Sequence, residues 1–300
     1  MSRVLVIFLD GVGIGENDPS KNPFFSRPFK FIYEIFGETP HLGKQSLSNN
    51  NGYLFPVDPL MGVDGIPQSG TGQTSILCGV NASEIIGQHF GPFPYSDLIP
   101  IIMEQSLFTE LTRDGKKVCF ANAYPQRFFD YLNSGKRRLG VFARSILESD
   151  MEFNTIEEVK KNKALTGEIT NLVWRDRLGC DIEVISPQGA AENLINISKE
   201  HDFTLYEFFL TDHLGHGRIK DQYDLITSTL DDFLLHLMKS IPSDTTLLIC
   251  SDHGNFEDLS IKQHTLNPAL AISIGEHAKQ LATHIKSLYN IKDAIKDILS

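Results

Sequence analysis

Three stretches of this chain share one pattern, a largely apolar run of strand length that closes on an aspartate. Val4 to Leu9 ends in Asp10, Thr204 to Leu210 is followed by Asp212, and Leu247 to Cys250 passes through Ser251 into Asp252. A strand buried on both faces reads as a near-continuous apolar run, and parallel sheets of such strands gather their ligand sites at the strands' carboxyl ends. Between the runs lie helical patterns. Pro187 to Glu200 sets Ala190, Ala191, Leu194 and Ile197 on one face, and Ile219 to Ile241 does the same with Leu225, Ile226, Leu230, Phe233, Leu234 and Leu237. Ala269 to Ile274 reads as a last strand and Ile291 to Leu299 as a closing helix. This alternation predicts an α/β fold, a three-layer, doubly wound, mainly parallel sheet.

With 300 residues the chain can hold either two domains of roughly 150 residues or one core with an insertion. The character changes from about Tyr124 to Ile182, where long apolar runs give way to Lys136, Arg137, Arg138, Arg144, Lys160, Lys161, Lys163, Arg175 and Arg177. The expected organisation is a discontinuous core of residues 1–124 and 183–300 with a small inserted cap at 125–182. Most of these cations read as a solvated face, and Arg137 and Arg138 are the candidates to hold a substrate anion. The formal net charge of −11 argues against nucleic acid as a partner, since backbone phosphates need clustered cations. The run in MSRVLVIFLDGVG is too short for a secretory core or a membrane span, so the expectation is a cytoplasmic protein without a membrane partner. Cys78, Cys119, Cys180 and Cys250 are dispersed and form no metal-binding or disulfide pattern.

The polar residues at the strand ends carry the chemistry. Asp252-His253-Gly254 alone reads equally well as a turn, but His264 follows after a polar loop. Gly11-Val12-Gly13 after Asp10 has the glycines of a dinucleotide fingerprint, yet Glu16, Asp18 and Pro19 stand where its helix would start, so a cation suits Asp10 better. Asp212 and His216 are four apart, a spacing that lets two side chains on one helical face reach one ion. Ser69 opens a segment that turns helical around Ile76 and Leu77, where free amides and the helix dipole favour an anion. Ser69 or Thr71 can equally be a helix cap there. Three aspartates, three histidines and a serine exceed what one ion needs, so two divalent ions are the natural reading. Manganese or zinc is favoured over calcium because imidazoles are poor ligands for a hard ion, and magnesium is admissible. A metal pair of this kind serves phosphoryl-type transfer.

Together these motifs resemble the alkaline phosphatase superfamily, and within it the cofactor-independent phosphoglycerate mutases and phosphopentomutases. The resemblance rests on Asp10-Gly11-Val12-Gly13, the Ser69 loop, Asp212-x-x-Gly215-His216, Asp252-His253-Gly254-Asn255-x-Glu257 and His264-Thr265-x-Asn267-Pro268. It implies an alkaline phosphatase-like core, one metal held by Asp212, His216 and His264, and a second held by Asp10, Asp252, His253 and the Ser69 hydroxyl. Ser69 would be the transiently phosphorylated nucleophile, with Thr71 its rival. Gln73 stands where the mutases usually have His, and the insertion is smaller than their substrate domain. The expected function is therefore a two-metal phosphatase or phosphomutase acting on a small, anionic, phosphorylated metabolite. Phosphoglycerate mutase proper and phosphodiesterase are the alternatives, and a metal-binding regulator with an inherited site is the reading outside enzymes.

Overall fold

The computed structural model describes residues 2–50, 52–149 and 151–300. Seven strands form one sheet: β1 (Arg3–Leu9), β2 (Leu47–Ser48), β3 (Gly52–Val57), β4 (Val118–Phe120), β5 (Phe203–Phe208), β6 (Thr245–Cys250) and β7 (Ala269–Ile274), in the spatial order β2-β3-β7-β6-β1-β5-β4. β4, β5, β1 and β6 are mutually parallel, while β7 runs antiparallel to β6 and β3 antiparallel to β7. The parallel half is where the apolar runs are longest. The β2-β3 edge was not visible as strand in the sequence because Pro56 interrupts it. Pro56 pairs with Leu270 of β7 at a position beyond the two residues that β2 offers, so its missing N–H removes no second ladder bond.

Side-chain alternation along β1 shows how the layers are made. Leu5, Ile7 and Leu9 face one apolar cluster, while Val4, Val6 and Phe8 face another. The first cluster is closed by helices Lys30–Phe36, Pro187–Lys199 and Tyr223–Ser240, the second by Ser69–Cys78, Leu107–Arg113, Val141–Glu148 and Ile291–Leu299. This is the three-layer arrangement predicted from the strand pattern. Each fully buried Leu, Ile or Phe contributes about 1.5–3 kcal/mol relative to an exposed one, so truncating a central residue such as Phe8, which is fully buried, costs about 3–5 kcal/mol. Among the described residues no helix is long and apolar enough to cross a membrane.

The segment 125–182, expected as an inserted cap, divides between two environments. Val141, Phe142 and Ile146 are buried in the second core layer, with the Phe142 ring 4.8 Å from that of Phe8. Val159, Ala164 and Trp174 instead form a small cluster with Ala123. The Val141–Glu148 helix thus belongs to the packing of the sheet, because its apolar face is as well placed for a core as that of any other flanking helix. Its charged neighbours in sequence masked that face.

Register decides where the site lies. Phe8 pairs with Cys250, and Leu9 with Phe208, so the chain leaves all three central strands at one level. Asp10, Asp252 and the helix Leu210–Gly215 therefore emerge side by side.

Candidate metal centre

Each ligand-bearing loop follows from its local sequence. After β1 the chain turns at Gly11, whose φ of 70° is the left-handed conformation that glycine adopts without strain. A Cβ there would also stand 3.0 Å from Asp212 Oδ1, so the residue is small for two reasons. The turn carries Asp10 into the space between β5 and β6. The helix Leu210–Gly215 supplies Asp212 and ends on His216 as its cap, which realises the predicted four-residue spacing. Ser69 is the first residue of a ten-residue helix whose every residue is buried. The amides of Ser69 and Gly70 at its start donate to no acceptor among the described residues.

Two groups of donor atoms result, joined by His253. In the first, Asp212 Oδ1 lies 3.2 Å from His216 Nε2 and 3.5 Å from His264 Nε2, and the two Nε2 atoms are 3.2 Å apart. His216 Nδ1 is 2.7 Å from the Lys262 carbonyl and His264 Nδ1 is 2.7 Å from the Pro67 carbonyl. A carbonyl can only accept, so each Nδ1 donates, and in the neutral ring Nε2 then carries a lone pair. Two lone pairs and a carboxylate oxygen converge without a hydrogen among them unless a proton or a cation is added. In the second group, His253 Nε2 lies 3.5 Å from Asp10 Oδ1, 3.5 Å from Asp252 Oδ2 and 3.0 Å from Ser69 Oγ. Asp10 Oδ1 and His253 Nδ1 are buried with no hydrogen-bond partner among the described residues, the mark of a donor set made for something else. The His253 and His264 rings stack with centroids 3.7 Å apart, so the groups are contiguous. Carboxylate oxygen and imidazole nitrogen in these numbers fit first-row divalent ions.

The electrostatics differ between the groups. Burial, followed by the charges of Asp252 and Asp212, pushes the Asp10 carboxyl well above its ordinary range. Burial raises Asp252 to about 7. Burial and the neighbouring His264 push the His253 imidazole down, which keeps it neutral. For Asp212 burial acts upward, but hydrogen bonds from His264 and Asn255 outweigh it, so the carboxyl lies below its usual range. For His264, burial is likewise outweighed by Asp212, and the imidazole is raised.

Supporting groups that the sequence reading left without a role hold the loops in place. Gln73 Nε2 bridges the two carboxylates, 3.4 Å from Asp10 Oδ2 and 3.3 Å from Asp252 Oδ2. Asn255 donates to Asp212 Oδ1 at 2.7 Å. The Glu257 carboxylate is buried and accepts from Gly13 N at 2.9 Å, Asn255 N at 2.8 Å, Asn267 Nδ2 at 3.0 Å and the Thr265 hydroxyl. One buried side chain thereby ties the loop after β1 to both ends of the long β6–β7 connection. Glu207, on β5, is raised to about 8 by burial and then by Asp252. Its place at strand position 207 within an apolar run was the available signal.

The structure brings together all seven residues predicted as ligands and separates the others. Thr71, the rival nucleophile, is fully buried, and its hydroxyl donates to the Gln68 carbonyl and accepts from Phe90 N, so it faces its own backbone. Arg137 and Arg138 do not reach the site. Arg137 donates to the carbonyls of Leu132 and Lys136, and Arg138 lies over the Phe93 ring at 4.5 Å. The pocket of about 400 Å³ beside Ser69, Asp212, His216 and His264 has Arg218 and Lys262 as its cations instead.

Residues 183–299 match the family described as Metalloenzyme superfamily. No curated protein matches the chain by sequence. Among solved structures the chain is similar to the PH0037 protein from Pyrococcus horikoshii, with 11% identity and a TM-score of 0.56 over 99% of this chain and 96% of that one. It is similar to the alkaline phosphatase of the Antarctic bacterium TAB5, with 12% identity and a TM-score of 0.53 over 99% and 98%. It is also similar to the cold-active alkaline phosphatase of the psychrophile Shewanella sp., with 10% identity and a TM-score of 0.54 over 98% and 99%. At such identities the likeness is one of fold, and the seven-stranded mixed sheet flanked by helices is alkaline phosphatase-like.

Proposed function

We propose that this chain, whose fold is alkaline phosphatase-like and whose residues 183–299 match the Metalloenzyme superfamily, is a two-metal phosphoryl-transfer enzyme of the alkaline phosphatase superfamily with Ser69 as nucleophile. Its substrate in this reading is a small phosphorylated metabolite. One observation carries the proposal: Ser69 Oγ, at the start of a buried helix, lies 3.0 Å from His253 Nε2, which is itself 3.5 Å from both Asp10 and Asp252. A serine hydroxyl placed within a ligand set is positioned for activation rather than for capping. Asp10, Asp252, His253 and Ser69 would hold one ion, and Asp212, His216 and His264 the other. When bound, two such ions neutralise a phosphoryl group and lower the pKa of the attacking hydroxyl.

The chain's own residues account for the rest. Burial of Ser69 within the pocket wall limits water at the attacking oxygen. The free amides of Ser69 and Gly70 favour negative charge at the helix start. Carbonyls at Lys262 and Pro67 keep His216 and His264 in the tautomer that offers Nε2. Gln73 and Glu257 fix the spacing of the loops.

The test is to incubate manganese-loaded protein with a phosphate ester, quench it, and look for phosphoserine by mass spectrometry. Phosphate on Ser69 is expected, and turnover without any covalent adduct in wild type or trapped variants would overturn the nucleophile. Following the group by ³¹P NMR separates a mutase, which returns it to the organic acceptor, from a phosphatase, which releases it to water. A regulator with an inherited site would show neither.

A further inference from the structure

Most cations of the insertion already have partners. Arg144 pairs with Glu148 at 2.9 Å, Arg175 with Asp176 at 2.7 Å, and Arg137 and Arg138 are held by carbonyls and by a ring. Two cations at the metal-site pocket differ. Lys262 is exposed, and its ammonium has no ion pair or hydrogen bond among the described residues. Arg218 has a single carboxylate in range, Asp212 Oδ2 at 4.0 Å, and its side chain is 57% exposed. Asp212 is also a proposed metal ligand, so that one contact is shared with a stronger competitor. Both cations hang directly from the ligand loops. Lys262 presents its carbonyl to His216 Nδ1, and Arg218 stands two residues after His216.

The chain as a whole carries a net charge of −11, so Lys262 without a partner and Arg218 with one long contact to Asp212 at the same pocket are not the overflow of a basic surface. The pocket has about 400 Å³, room for a compact ligand, and Ile66 and Pro92 give it an apolar side. We propose that Arg218 and Lys262 form a subsite for a second negative group on the substrate, so that the preferred substrate class is a small phosphate ester carrying another anion. This rests on the phosphoryl-transfer reading of the same site. An Arg fork and a Lys point charge on one side of a small pocket recognise a carboxylate or a second phosphate by charge-assisted hydrogen bonds, while a neutral tail leaves both cations unpaired.

Binding separates this inference from the activity beneath it. Manganese-loaded protein is titrated calorimetrically with ethyl phosphate, phosphoglycolate and ethylene glycol bisphosphate, which differ in carrying no second anion, a carboxylate or a second phosphate. At least one ester with an anionic tail is expected to bind about tenfold or more tighter than ethyl phosphate, and which one does so identifies the second group. That ratio should collapse toward one in Arg218→Gln with Lys262→Met, whose exposed positions spare the fold. Equal affinities in wild type, no binding of any ester, or a ratio that survives both substitutions would each overturn the subsite. If the preference and its loss are seen without turnover of any ester, the subsite stands and the phosphoryl-transfer reading fails.

Discussion

The two ligand groups share an edge at His253 but are held in opposite ways. Asp212, His216 and His264 look into the pocket, each imidazole pinned by a backbone carbonyl and the carboxylate braced by Asn255. Asp10, Asp252 and His253 are buried, with two carboxylates pushed toward protonation and two polar atoms without a hydrogen-bond partner among the described residues. The pocket group is preformed by hydrogen bonds from outside it and needs only a proton or a cation where its nitrogens and carboxylate meet, whereas the buried group leaves Asp10 Oδ1 and His253 Nδ1 incomplete, without a partner among the described residues. Preformed donors suit an ion that comes and goes with substrate, and an incomplete buried set binds its ion as part of folding.

Ser69 belongs to the buried group, and its removal should have the largest effect. Ser69→Ala is expected to lower kcat on the order of a thousandfold or more through loss of the covalent route, while metal content stays close to that of wild type because Asp10, Asp252 and His253 remain. Steady-state kinetics beside metal analysis reads both. Loss of an ion along with turnover would make Ser69 a principal ligand rather than a nucleophile.

The same substitution should act with opposite sign in the two groups. In metal-free protein at pH 8, Asp252→Asn removes a buried like charge while keeping an oxygen for Gly11 N, which now bonds Asp252 Oδ1 at 3.3 Å. Its melting temperature should rise by a few degrees. Asp212→Asn takes the charge from a carboxylate that its neighbours stabilise, and should lower the metal-free melting temperature by a similar amount. Each variant should bind one ion fewer than wild type. Shifts of the same sign in calorimetry would erase the distinction between the groups.

Acidity offers a milder probe. The Asp252 carboxyl has an ordinary value of 3.8 and is raised to about 7 in the folded, metal-free protein. Between these values the unfolded chain holds fewer protons here than the folded one, so the contribution of this carboxyl to metal-free stability is complete below the lower value and is lost as pH rises through the upper. A bound ion displaces that proton, so metal affinity rises over the same window. The gain in melting temperature on adding manganese should therefore be larger at pH 8 than at pH 5.5. An equal gain at both would show that proton and ion do not compete at this carboxylate.

What the sequence made legible follows from what its physics encodes locally. Asp10, Asp212 and Asp252 could be placed because each ends a run whose burial dictates its strand, and Ser69 because helix starts have a composition of their own. Glu257 stood in a quoted motif, yet Gly13 N reaches it from the loop after β1, 244 residues away in sequence, and no one-dimensional spacing shows that convergence. Arg218 and Lys262 were passed over for the opposite reason: each is a lone cation in a polar loop, and only the fold reveals which cations find partners. The denser basic run at 136–138 drew attention by number, although number says nothing about pairing.

That last contrast gives the smallest expected effect. Arg137 hydrogen-bonds the carbonyls of Leu132 and Lys136 within its own turn, so Arg137→Ala removes contacts that never meet the pocket. Arg138 has one route to the site, since the Phe93 ring beneath it at 4.5 Å adjoins Pro92 in the pocket wall. An exposed cation–π contact of that kind is worth about 0.5–1 kcal/mol, and only part of it can be transmitted to the wall. Arg138→Ala should change the KM for an ester with an anionic tail by less than about fivefold, and Arg137→Ala by less than about twofold, both below the loss expected for Arg218→Gln. Should the double variant Arg137→Ala with Arg138→Ala raise KM as much as Arg218→Gln does, the segment 125–182 would have to swing its turn onto the substrate, and the pocket described by the metal loops would be only half of the binding site.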